Sequence, residues 1–248
     1  MQCHNLTEQI DINKGARKLV LVGNPNVGKS LFFNALTGIY VDVSNFPGTT
    51  VDISSGRYND MVVMDTPGVY GVSSFNDEER VARDVILYAD VILNIVDALH
   101  IERDLFLTQQ IIDMGKPVVV ALNMMDEVKK NGIQIDVEEL SRQLGVPVIP
   151  TTIIKGEGLE EVKAALNYST TGNRLPIVME HLPKIRSLVD EDSEALLVLE
   201  EDESIIARHN ISGIKGMREQ IYQARRERVD EIVKKVMRQT NRGASFSV

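Results

Sequence analysis

The feature that most limits what this chain can fold into is the stretch Leu19–Ser30, LVLVGNPNVGKS. Four apolar residues, Leu19, Val20, Leu21 and Val22, read as a buried strand that breaks at Gly23. Residues Gly23–Ser30 fit G-x-x-x-x-G-K-[ST]; a helical pattern follows in Leu31, Phe32, Ala35 and Leu36 and ends at Thr37-Gly38. Strand, glycine loop and helix in this order make a phosphate cradle, because Gly23 and Gly28 permit backbone angles that turn successive N–H groups toward an anion. Lys29 is placed to reach the β- and γ-phosphates, and the Ser30 hydroxyl to ligate Mg²⁺. The nucleotide-contacting set here is Gly23, Asn24, Asn26, Val27, Gly28, Lys29 and Ser30, with Leu31 just beyond.

Two later strand ends narrow the ligand. The polar, turn-rich loop Ile39–Thr50 lies where a nucleotide-sensing loop would sit. Thr50 is the candidate to close on Mg²⁺ and the γ-phosphate, with Thr49 contesting the assignment. Strand-like runs Val51–Tyr58 and Met61–Met64 flank an Asn59-Asp60 hairpin turn and lead into Asp65-Thr66-Pro67-Gly68. Asp65 can hold Mg²⁺ through water, while the Gly68 N–H meets the γ-phosphate and moves when it leaves. A glycine- and serine-containing segment, Val69–Asn76, precedes a helix that opens on Asp77-Glu78-Glu79 and runs through Tyr88.

A strand over Val91–Asp97, a helix from about Glu102 to Met114 and a buried strand PVVVALN follow, the last ending at Asn123. In Asn123-Met124-Met125-Asp126 the aspartate can accept the guanine N1–H and exocyclic amine, a pair that adenine does not offer. Asn123 can bind the base edge and pin neighbouring loops. Asp136 with Glu139 predicts a capped helix ending at Leu144-Gly145, and PVIP (Pro147–Pro150) a last strand. The loop that follows should buttress the base through Thr152 and Ile153, before a closing helix over Leu159–Leu166. Alternating strands and helices predict an α/β fold with a mainly parallel sheet flanked by helices over residues 1–168. From Pro176 the apolar spacing turns helical, as in Ile214, Met217, Ile221, Val229, Ile232 and Val236, predicting a smaller all-α domain over 169–248.

Composition removes other classes. Net charge −9 argues against a surface built for nucleic acid, and the single cysteine, Cys3, points to a reducing compartment. Cys3-His4 and the scattered His100, His181 and His209 lack metal-ligand spacing. No apolar run is long enough to cross a bilayer, and no secretory signal opens the chain. The acidic run Asp190–Ser204 reads as a solvated face around a small apolar stripe.

Together GNPNVGKS, Thr50, DTPG and NMMD resemble the G motifs of a translation-factor-class small GTPase. The longer run Glu79–Val128, with LGVPVIPT and KGEGLEEV, resembles the N-terminal cytoplasmic region of ferrous iron transport protein B. The resemblance implies a P-loop GTPase domain, a helical domain described as a guanine-nucleotide dissociation inhibitor, and then a membrane permease. It would place the chain on the cytoplasmic side of a bacterial or archaeal inner membrane. Its partners would be GTP and GDP, its own permease, small accessory proteins of iron transport and further copies of itself, with no nucleic acid.

Departures from the family pattern bear on mechanism. His100 and Asp104 stand where asparagine is usual, Thr152-Ile153 where Ser-Ala is usual, and Phe46 where tryptophan is common. Met124 replaces the lysine of NKxD, as it does in the family, and its apolar stem can cover the base. Val69 follows DTPG where Ras-like enzymes carry a water-orienting glutamine. GTPases of this class without that glutamine commonly use K⁺ held partly by a P-loop asparagine, which Asn26 matches. The resemblance therefore implies a slow, K⁺-stimulated GTPase whose catalytic groups are Asn26, Lys29, Thr50 and Gly68, with Mg²⁺ at Ser30, Thr50 and Asp65. Nine Lys or Arg against four acids between Lys215 and Arg242 would suit an approach to a membrane. The main rival is a soluble K⁺-dependent GTPase of ribosome or tRNA maturation. A nucleotide-free interaction module is a third reading. The appended region begins acidic and has no GXXG loop, which counts against the rival.

Overall fold

The computed structural model describes residues 15–38, 41–46, 49–73, 75–213 and 215–239. Cys3-His4, Ile39 and Tyr40, Pro47-Gly48, Ser74, Ile214 and the closing GASFSV lie outside them.

The chain runs β1 (Arg17–Gly23), α1 (Lys29–Thr37), β2 (Asp42–Asn45), β3 (Asp52–Tyr58), β4 (Met61–Asp65), α2 (Asp77–Leu87), β5 (Val91–Asp97) and α3 (Ile101–Asp113). It continues with β6 (Val118–Asn123), α4 (Met125–Lys130), β7 (Ile133–Ile135), α5 (Val137–Leu144), β8 (Val148–Pro150) and α6 (Leu159–Ala165). Four helices, α7 (Pro176–Ile185), α8 (Asp192–Leu199), α9 (Glu203–Arg208) and α10 (Arg218–Val236), precede β9 (Met237–Gln239).

β1 sits in the middle of the sheet because it is apolar on both faces, with Leu19, Val20, Leu21 and Val22 fully buried. The sheet order is β2-β3-β4-β1-β5-β6-β8. β4, β1, β5, β6 and β8 are parallel, and β2 and β3 extend the β4 edge antiparallel. Leu19 and Leu21 pack with Phe32, Phe33 and Leu36 of α1 and Val162 of α6. Val20 and Val22 point the other way, into a core with Val81, Ile86, Leu105 and Ile111 of α2 and α3. Register brings the strand ends level: Leu21 lies opposite Asp65, Gly23 opposite Ile95, and Asp97 opposite Asn123. The motif-bearing ends therefore share one edge, where open α/β sheets take their ligands.

Local signals set most boundaries. The Asn76 side chain accepts from the Glu79 N–H at 2.7 Å and starts α2 with three acids in its first turn. Asp136 accepts from the Glu139 N–H at 2.9 Å, and Gly145, at φ 73°, ends α5. Only half of the expected capping box forms. The Asp136 N–H goes to the Val236 carbonyl at 2.8 Å, and Glu139 turns to Arg142 and Gln143.

Three strands were not expected. β2 lies inside what reads as a loop, and all four of its residues are exposed, so no alternation marks it. β7 and β9 pair antiparallel, with Ile133 opposite Gln239, although the region after Pro176 reads as helical throughout. The acidic run also departs from expectation. Asp202 is 4% exposed and bonded to Arg83, Glu200 binds Arg225, and Glu194 binds Arg208, so these acids join elements instead of forming a solvated face. Val178, Leu182, Leu196, Ile221, Val229 and Ile232 of the last helices continue the apolar core on the Val20 side of the sheet. Among the described residues no helix is long and apolar enough to cross a membrane.

Candidate nucleotide-binding site

The loop after β1 turns through left-handed residues at Asn26 (φ 65°) and Gly28 (φ 94°). Gly28 is required twice over, because a Cβ there would stand 2.6 Å from the Asn123 Nδ2. Helix α1 begins at Lys29, so its first N–H groups, which have no intrahelical acceptor, open at the strand edge. A Cβ on Gly68 would lie 2.8 Å from the Pro25 Cα, and the Val69 N–H donates to the Gly23 carbonyl at 3.1 Å. The DTPG turn is thus in direct contact with the P-loop.

Three groups expected at the phosphates converge. The Lys29 Nζ lies 2.5 Å from the Asp65 Oδ1, and the Ser30 Oγ 3.4 Å from its Oδ2. One carboxylate with one hydroxyl is a hard-oxygen set that suits Mg²⁺ when phosphate oxygens complete the octahedron. Thr50 is exposed on the turn between β2 and β3, and among the described residues it makes no hydrogen bond to these groups. The neighbouring Thr49 is engaged in that turn, donating to the Phe46 carbonyl at 3.0 Å and accepting from the Val51 N–H at 3.1 Å. Asn26 is exposed on the loop, and Val69 is buried in the core at 3% exposure.

At the other end Asn123 is a buried hub. Its Nδ2 donates to the Val27 carbonyl at 2.9 Å, and its Oδ1 accepts from the Thr151 Oγ1 and the Ile153 N–H, both at 3.1 Å. The Ile153 N–H, expected to face a base, is therefore directed to Asn123, and its side chain packs in the core with Val27 and Phe32. Thr152 is buried and exchanges backbone bonds with Glu157, which closes the loop. Met124 takes φ 64° at the start of α4. Asp126 accepts from the Glu127 N–H at 3.0 Å and pairs with Lys155 at 3.0 Å. The hydrogen bond from Lys155 holds the Asp126 carboxyl below its ordinary range.

Sequence reasoning gave no role to two features beside the site. Lys155 is one, and its only local signal is that it follows the base loop. The second is Asp104, which accepts from the Asn24 Nδ2 at 2.8 Å and from the Asp97 N–H at 2.9 Å. Burial pushes its carboxyl above the ordinary range, against the hydrogen bonds from Arg103 and the Asp97 N–H. Asn24 Oδ1 is buried with no partner among the described residues.

The chain is similar in sequence and fold to known proteins. The Fe(2+) transporter FeoB of Salmonella typhimurium strain LT2 is 37% identical over 176 residues, which are 67% of this chain and 23% of that protein. The FeoB of Escherichia coli K12 is 38% identical over 168 residues, 64% of this chain and 22% of that one. The chain thus spans under a quarter of the length of these curated relatives. Among solved structures, an S. thermophilus NFeoB variant bound to GDP superposes with TM-score 0.80 at 32% identity, covering 90% of this chain and 100% of that one. The cytosolic domain of the T. maritima FeoB iron transporter in its GMPPNP form gives TM-score 0.77 at 31% identity, covering 90% and 99%. Residues 17–166 match the family described as ferrous iron transport protein B, and with its P-loop GTPase fold the chain belongs to that family.

Proposed function

We propose that this chain binds GTP and hydrolyses it slowly as the cytoplasmic regulatory region of a ferrous iron transporter. Residues 1–168 form the nucleotide unit, and 169–248 a helical unit that governs nucleotide release and faces a membrane permease. The observation that supports this most is the convergence of Lys29, Ser30 and Asp65 at one end of a strand edge whose other end is fixed by Asn123.

The residues divide the work. Phosphates would draw the Lys29 ammonium off Asp65 and leave that carboxylate to orient the metal's water. As the γ-phosphoryl passes to water, charge grows on the bridging and terminal oxygens; Lys29, the first N–H groups of α1 and the Gly68 N–H supply positive ends there. When bound, Mg²⁺ and K⁺ supply further positive charge along the phosphates. Thr50 closes over them from the β2–β3 turn. Asn26, exposed on the loop, offers a side-chain oxygen. Val69 is an apolar residue packed in the core and cannot orient a water, so turnover is slow.

Asp126, paired with Lys155, selects guanine, and an adenine base would leave it unpaired. Loss of the γ-phosphate releases segments 39–50 and 68–76, and the helices after residue 176 sense the release. Iron as the transported ion follows from the relatives' names alone.

The test is steady-state hydrolysis in K⁺ and in Na⁺ at equal ionic strength, with ATP as competitor. GTP turnover should be faster in K⁺, with the advantage lost in Asn26→Ala, and ATP should not compete. Equal rates in both salts would remove the K⁺ assignment; competition by ATP would remove the base assignment.

A further inference from the structure

The segment after DTPG is held by a side chain that acts as a strand would. Gln110 of α3 is 5% exposed. Its Oε1 accepts from the Val72 N–H at 2.8 Å and its Nε2 donates to the Val72 carbonyl at 3.0 Å, so both backbone groups of one buried residue are satisfied by one amide. The second hydrogen of that Nε2 goes to the Glu200 Oε2 at 2.8 Å. Every hydrogen of the Gln110 amide is then used.

Beyond it the network is charged. The other Glu200 oxygen takes the Arg225 Nη2 at 2.5 Å, and Arg225, 2% exposed, also grips the Asp113 Oδ2 through Nε at 3.2 Å and Nη2 at 3.1 Å. Asp113 in turn accepts from the Leu175 N–H at 2.9 Å, at the entrance to α7. One continuous chain of buried polar contacts therefore runs from Val72 through α3 to the end of α8, to α10 and to the start of α7. A displaced Val72 leaves the Gln110 amide with an unmatched acceptor and donor, and Gln110 must turn to recover them, which withdraws a hydrogen bond from Glu200. Room for that turn is at hand, because Gln110, Val72, Tyr70, Phe75 and Tyr222 border an open cavity of about 370 Å³.

We propose that Gln110 is the positioning residue through which segment 68–76 is read by the helices after residue 176. It fixes Val72 in one conformation and makes the Glu200–Arg225 contact conditional on that conformation. The proposal rests on the nucleotide-dependent release of segment 68–76 proposed above, and names its receiver.

Hydrogen exchange on the whole chain, with GDP and then with a non-hydrolysable GTP analogue, tests it. In the unsubstituted chain the exchange of nucleotide should alter protection at Val72 and across 218–236 together. Gln110→Ala should abolish the change across 218–236 while the chain still binds GDP, since Gln110 is not among the phosphate and base groups. Glu200→Gln, which preserves side-chain shape, should keep the Val72 response and lose the one across 218–236. A response across 218–236 that survives in both variants overturns the role of Gln110 and leaves the coupling standing. Absence of any response there in the unsubstituted chain overturns the coupling and this proposal with it.

Discussion

At the base end of the site, Asn123 makes three hydrogen bonds that are complete within the protein, to the P-loop and to the loop at 151–153. At the phosphate end, Lys29 and Ser30 both turn to one carboxylate, Asp65, which a nucleotide and its metal would claim. Every bond of the first arrangement has its partner within the protein. The second is a set of groups held against one another that must exchange partners on binding. On the proposed function, base choice would rest on this frame and phosphate sensing on contacts that are remade, which is what a switch requires.

The largest effect should come at the remade end. Lys29→Ala deletes a positive end aimed at the charge that grows during transfer, and GTP hydrolysis should fall by about 10²-fold or more. Single-turnover kinetics separates this from a loss of binding. A variant that keeps most of its rate would show that Lys29 serves Asp65 alone.

The preformed end should instead show itself without any nucleotide. Asn123→Ala leaves the Val27 carbonyl and the Ile153 N–H without their partner in a buried place. At about 1–3 kcal/mol for each buried group left unpaired, the nucleotide-free protein should lose about 2–6 kcal/mol in a denaturant titration. Lys29→Ala should lose less under the same conditions, because Asp65 keeps Ser30 and faces the groove. Equal losses would erase the distinction between the two ends.

What was legible in the sequence follows the same division by distance. The P-loop, DTPG and N-x-x-D are local spellings whose spacing alone places them on strand ends, and the sheet then aligns those ends through parallel pairing. The cap at Asp136 was legible for the same reason, since its partner lies three residues away. Partners far along the chain left no such mark. Asp202 reads as one acid among many until Arg83, 119 residues before it, is found bonded to it in the core. The Asn24–Asp104 pair spans 80 residues, and β9 finds β7 across more than 100. Ile153 was misleading at close range: its place in the loop pointed to the base, while its N–H joins Thr151 in donating to the buried Asn123.

The smallest expected effect probes whether the base end is preformed electrically as well as sterically. Lys155 is half exposed and lies 3.0 Å from Asp126, so solvent and salt weaken the pair, and Lys155→Ala should lower GDP affinity only a few-fold near neutral pH, about the scale of an exposed ion pair. The pH dependence is more telling than that loss. Asp126 must be ionised to accept two guanine hydrogens, and Lys155 depresses its folded-state value, so in the unsubstituted protein the accepting form persists as pH falls below the ordinary carboxylate range. Removing Lys155 lets that value rise, and the acid limb of GDP affinity should move to higher pH, with the difference shrinking as salt is added. Coincident acid limbs for the two proteins would mean that Asp126 is kept ionised by its own backbone contact to Glu127, and that the frame at the base end owes its charge state to α4 instead of to the loop that follows β8.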